Sequence, residues 1–138
     1  MEPSVRYEQL IAFLGSQLPA PVDQQSGPDD SLVFTGGEPA EVVVHLSSTS
    51  VTVFEFACQW ERPSSLVARP RRVGMLKWRR LPETVLLNAL GTLIKGARDM
   101  RLARYGTCGW CGTRKPPEMM ADPDVCRECA DQQTDVVH

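Results

Sequence analysis

Histidine is scarce in this chain, with two in 138 residues. His45 lies inside a β-branched run and reads as structural, and His138 is the terminal residue. The sequence has no H-E-x-x-H, G-x-S-x-G, P-loop or G-x-G-x-x-G pattern, so the common hydrolase, nucleotide and dinucleotide sites are excluded. Long apolar runs are also missing. None reaches the roughly 18 residues of a membrane span. The opening MEPSVRYEQLIAFLG breaks its apolar pattern with acids and polar groups, which points to an amphipathic helix and not to a secretion signal. There are no internal repeats. Five cysteines is an odd number, which a closed disulfide framework disfavours. Nothing points outside the cytoplasm, where paired thiols signal metal more often than disulfide. With 42% hydrophobic and 23% charged residues, wholesale disorder is excluded.

Charge is abundant but segregated. Residues 1–61 carry nine acids and one base, residues 62–115 thirteen bases and two acids, and residues 116–138 six acids and one base. Segment nets of −8, +11 and −5 hide behind an overall −2. Such a pattern fits a polyanionic partner for the middle segment, or basic and acidic parts that face each other in the fold.

Periodicity divides the chain into elements. Tyr7, Leu10, Ile11, Leu14 and Leu18 share one face of a helix over 4–18, which Pro19 stops. Residues 19–30 read as a polar Pro/Gly loop. Strands are expected at 31–35, 41–46 and 51–60, with a fourth at 72–78. On the third, Phe54, Phe56, Cys58 and Trp60 alternate onto one side, taken as the core side. Cys58 is then a buried thiol without chemistry, and Glu55 an outward, solvated carboxylate. A long helix over 82–104 carries the apolar stripe Leu86, Leu90, Leu93, Ala97 and Met100, and close packing on the sheet would account for Gly91 and Gly96. This order predicts an α+β fold: an antiparallel sheet of three or four strands with two helices on one face over residues 1–104. A small C-terminal four-cysteine zinc module over 105–138 follows.

Four of the five cysteines fall in YGTCGWCGTRKPPEMMADPDVCRECA, residues 105–130. The spacing Cys108-x2-Cys111-x14-Cys126-x2-Cys129 suits one tetrahedral zinc ion. Gly112, just past the first pair, permits the positive φ that turns backbone N–H groups toward the sulfurs. A tail this short needs such a staple. A redox dithiol and an iron–sulfur cluster are the competing readings of the same spacing. CGWCG followed by CREC opening a short polar helix resembles the zinc-ribbon and treble-clef modules. The resemblance covers residues 105–137 and implies one structural zinc. It also implies a first pair on a knuckle turn and a second pair at a helix start. Four protein thiolates leave no open coordination position, which disfavours a hydrolytic zinc. Arg104, Arg114, Lys115 and Arg127 are placed to offset the site's negative charge.

RPRRVGMLKWRR, residues 69–80, interleaves bases with an indole. The expected contact set for a nucleic acid or other partner is Arg69, Arg71, Arg72, Lys77, Trp78, Arg79, Arg80, Arg98, Arg101, Trp110, Arg114 and Lys115. Trp78 has a core reading beside the stacking one, and Trp110 either projects from the first C-x-x-C turn or covers the metal. The functional expectation is a non-enzymatic, cytoplasmic zinc protein that binds nucleic acid. The alternative is a protein-interaction module in which zinc is purely structural, and a zinc-dependent redox switch is a third reading. No small-molecule substrate and no membrane are implied.

Overall fold

The computed structural model describes residues 3–137, with the side chains of residues 4–132. His138 lies outside the described residues. The chain runs from helix α1 (Pro3–Gln17) into strands β1 (Val22–Ser26), β2 (Leu32–Gly36), β3 (Val42–Leu46) and β4 (Val51–Glu55). A separate hairpin follows, β5 (Cys58–Arg62) with β6 (Ser65–Ala68), then β7 (Arg71–Leu76) and the long helix α2 (Glu83–Ala103). The main sheet is antiparallel, with strand order β1-β2-β3-β4-β7. No helix among the described residues is long and apolar enough to cross a membrane.

Register explains the core. Phe34 opposes Val44, and Val44 opposes Val53. Val42 opposes Glu55, and Leu46 opposes Val51. These residues share one sheet face, and Leu10, Leu14 and Leu18 of α1 close over it with Leu86, Leu90, Ile94 and Ala97 of α2. The two helices therefore cover one face of the sheet, as the periodicity predicts. Each fully buried Val, Leu or Phe contributes about 1.5–3 kcal/mol, so this face carries most of the fold's stability. Gly74 of β7 lets α2 come close, because a Cβ there would sit 2.8 Å from Leu93 Cδ2.

Several expectations need correction. Residues 19–30 are not all loop, since β1 pairs with β2 along its whole length. As a mostly exposed edge strand, its sequence VDQQS is held by backbone hydrogen bonds and needs no apolar period. The third strand does not run through 51–60. It breaks after Glu55, where Phe56 N–H donates to Glu41 O and Arg69 N–H to Ala57 O. Its buried side is Val51, Val53, Glu55 and Ala57. Phe54, Phe56, Cys58 and Trp60 are each half-buried. Pairing with β3 fixes that parity, because Val42 and Val44 already face the helices. Glu55 is therefore fully buried and not solvated. On α2 the buried stripe ends at Arg101, and Met100 is exposed. Nor do Gly91 and Gly96 reflect close packing: a Cβ at Gly91 would meet only Phe13 Cζ at 3.8 Å, and one at Gly96 nothing within 4 Å.

Candidate metal centre

After α2 the chain forms two small hairpins and a helix. Strand β8 (Gly106–Thr107) pairs with β9 (Arg114–Lys115), and β10 (Met120–Asp122) pairs with β11 (Val125–Cys126). Helix α3 (Arg127–Val137) starts directly after Cys126. Cys108 and Cys111 sit on the turn of the first hairpin. That turn closes through Gly112 N–H to Cys108 O (2.9 Å) and Cys108 N–H to Thr113 O (3.0 Å). Gly112 has φ +73°, a conformation that disfavours any side chain even though space for a Cβ is open. Gly109 N–H donates to Asp124 O at 2.7 Å and ties the first turn to the second hairpin.

All four sulfurs, of Cys108, Cys111, Cys126 and Cys129, lie within 4.8 Å of one another. Sγ of Cys111 and Sγ of Cys126, from different pairs, are 3.9 Å apart. Convergence of both pairs on one point fits a single shared ion and does not fit two independent dithiols. Backbone N–H groups point at the sulfurs: Trp110 and Cys111 donate to Cys108 Sγ at 3.4 and 3.5 Å, and Cys129 donates to Cys126 Sγ at 3.4 Å. The backbone N–H of Cys126, then that of Cys111, pulls the Cys108 thiol down to about 6. The Thr113 hydroxyl lowers Cys111. Cys129 is pushed up to about 12, first by hydrogen bonding with Cys126. Metal binding requires these cysteines as thiolates, so a cation would displace their protons. These residues fit a metal ion.

Docking onto the α+β layers uses residues that the sequence reading missed. Glu118, between the cysteine pairs, accepts two hydrogen bonds from Arg101, at 2.9 and 2.6 Å. Arg101 also donates through Nε to Ala40 O at 3.1 Å. Burial works against Arg101's charge, but Glu118 outweighs it and holds the guanidinium above its ordinary value. Burial likewise opposes the Glu118 carboxylate, and Arg101 outweighs it, so Glu118 lies below its ordinary value. Trp60 Nε1–H donates to Glu118 O at 2.9 Å, and Arg127 lies 4.2 Å from the centre of the Trp60 ring. Cys58 sits beside this network, its thiol pushed up to about 11 by burial and then by Glu118. No spacing rule marks Glu118 in the sequence. Its one signal there is an acid inside an otherwise apolar run, PPEMM.

The twelve expected contact residues divide into two groups. Trp78 is buried, with Nε1–H donating to Ser47 O at 3.0 Å, so its core reading holds and it is withdrawn from the surface. Arg101 is withdrawn too. Arg69 pairs with Glu61, Arg71 with Glu55 at 3.4 Å, Arg98 with Glu41 at 3.4 Å and Lys115 with Glu128 at 3.8 Å. Arg104, expected near the metal, instead donates to Glu55 at 2.6 Å. Much of the basic segment thus meets acidic parts of the same chain. Arg114 donates to Leu102 O at 2.6 Å, and Arg79 to Ser48 O at 2.6 Å while covering the Trp78 ring. Arg72, Lys77 and Arg80 are exposed and have no carboxylate partner among the described residues. Trp110 is 56% exposed and projects from the first cysteine turn.

No protein-family model, curated protein or solved structure matches this chain.

Proposed function

We propose that this chain is a non-enzymatic zinc protein whose ion is structural and whose unpaired surface bases bind nucleic acid. The single observation that carries the zinc reading is the convergence of four sulfurs within 4.8 Å. A Zn–S bond of about 2.3 Å in a tetrahedron separates its sulfurs by about 3.8 Å, close to the 3.9 Å between Cys111 and Cys126. Knuckle turn, second hairpin and helix start follow the treble-clef pattern that the cysteine spacing resembles. When bound, zinc supplies a cross-link between the two hairpins. Four sulfurs fill its tetrahedron, so it offers no site for activating water. The chain's own contribution is to aim backbone N–H groups at the thiolates and to present Glu118 to Arg101. Cytoplasmic residence, where thiols stay reduced, suits five free cysteines.

The nucleic-acid reading is supported by Arg72, Lys77, Arg79 and Arg80, which lie exposed along β7 and the turn after it without carboxylate partners. Lys and Arg in this state release counterions from a phosphate backbone, which makes affinity steeply salt-dependent. Arg72→Glu with Lys77→Glu is the deciding variant, since neither residue is part of an internal ion pair. The variant should lose polynucleotide retention with its thermal midpoint unchanged, and retention by wild type should fall steeply with salt. Unchanged binding by the variant would remove this surface from consideration. A protein-interaction reading is favoured by the exposure of Trp110 and Met119 on the metal module. Capture of a partner from nuclease-treated extract, lost in Trp110→Ala, would select that reading.

A further inference from the structure

A cleft of about 530 Å³ opens between the β5–β6 hairpin, the last turn of α2 and the segment bearing Glu118. Arg69, Arg71, Arg101 and Arg104 all line it. Four guanidiniums around one opening repel one another, so their gathering needs compensation. Glu61 compensates Arg69 and Glu118 compensates Arg101, one for one. Glu55 is shared. Its Oε2 accepts from Arg104 Nε at 2.6 Å and from Arg71 Nη1 at 3.4 Å. Among the described residues, three carboxylates therefore face four guanidiniums, and one positive charge is left over.

Donors are left over as well. A guanidinium carries five N–H donors. Arg104 is engaged through Nε alone and Arg71 through Nη1 alone. The Arg104 terminal nitrogens and Arg71 Nη2 have no hydrogen-bond partner among the described residues. Glu55 itself is fully buried behind them, while Arg71 and Arg104 keep 53% and 45% of their side chains exposed. Its second oxygen, Oε1, is buried without a hydrogen-bond partner among the described residues. That arrangement is unfavourable as pure architecture. It becomes intelligible if Glu55 is a bracket that holds two guanidinium forks in place before a ligand arrives.

We propose that this cleft binds a phosphate group, held by Arg71 and Arg104 with Arg69 at the rim. Phosphate suits the site because it brings several acceptor oxygens and up to two negative charges to paired guanidinium forks, where a carboxylate offers two oxygens and one charge. Glu55 is a positioning residue in this arrangement. The site stands apart from the exposed bases of β7 and its following turn, and it does not depend on the nucleic-acid reading.

The test is calorimetric titration of the full-length, zinc-loaded protein with three probes: inorganic phosphate, adenosine monophosphate and a mixed-sequence oligonucleotide. Saturable binding of phosphate or of adenosine monophosphate is expected. Arg71→Gln should weaken it by about tenfold, the effect of losing one charge-assisted hydrogen bond. Arg71 is the deciding variant because it is half-exposed and its replacement leaves Arg104 on Glu55. Arg104→Lys, which keeps charge but loses the fork, should weaken binding with zinc content preserved. Failure of both inorganic phosphate and adenosine monophosphate to bind at millimolar concentration overturns the proposal. So does affinity unchanged in both Arg71→Gln and Arg104→Lys. Oligonucleotide binding that is lost only in Arg72→Glu with Lys77→Glu, with neither phosphate nor adenosine monophosphate bound, overturns the cleft and leaves the nucleic-acid reading standing. Binding of phosphate or adenosine monophosphate without oligonucleotide binding supports the cleft and removes that reading.

Discussion

Arg101 of α2 and Glu118 of the cysteine segment form a two-pronged ion pair, at 2.9 and 2.6 Å, with both side chains almost wholly buried. Phe56 and Tyr105 flank the guanidinium, their ring centres 5.1 and 5.3 Å from it. The pair is the buried joint between the four-cysteine segment and the α+β layers.

Breaking one side of this joint leaves a buried charge without a partner. Arg101→Met should cost about 3–5 kcal/mol, read by urea unfolding. Arg101→Met combined with Glu118→Leu should recover most of that loss, because the desolvation cost of both charges disappears together. A double variant as unstable as the single would mean that the pair is not what fails.

The same pair predicts a pH dependence. Glu118 is held below its ordinary value of 4.5. The unfolded chain therefore takes up the proton first as pH falls. The stabilisation from Glu118 is fully present above pH 4.5 and is lost as pH drops through its lower folded value. Protonation of the cysteines in acid would also release a bound metal, so the informative quantity is wild type minus the Arg101→Met/Glu118→Leu double variant. That difference should shrink as pH falls below 4.5 and stay flat from there to neutrality.

Elemental analysis of reduced, untagged protein should find about one zinc per chain, and Cys126→Ser should abolish it. Chelation should also shift Trp60 emission to the red, since the indole N–H is bonded to Glu118 O of the metal module. Retention of the Trp60 signal after complete metal removal would show that the module docks without its ion.

Gly96 lies inside α2, and a Cβ at this position would have nothing within 4 Å. Gly96→Ala should therefore stabilise the protein by up to about 1 kcal/mol, seen as a raised thermal midpoint. A loss of stability would mean that this face of α2 is covered by something other than solvent.

Where a pattern repeats over several residues, the sequence is readable. The period of α2 follows from side chains that must face one apolar layer, and VVVHL reads as a strand from its β-branched run. Edge strand β1 is not readable, because VDQQS is held by its backbone and faces solvent. The parity of the segment around Glu55 misleads for a different reason. An aromatic alternation and a Val/Glu alternation occupy the same residues, and single-strand patterning cannot say which side meets the helices.

The sequence by itself determined the two-helix α+β layering and the four cysteines competent for one ion, because hydrophobic period and ligand spacing are local properties. Tertiary structure alone decided which charges are spent inside the fold. A bulge between β4 and β7 sets Glu55 opposite Arg71, where an unbroken register would set it opposite Arg72. That one-residue shift brings Arg71 to the buried carboxylate and leaves Arg72 without one. No linear pattern encodes it, since cross-strand partners are chosen by backbone pairing between segments distant along the chain.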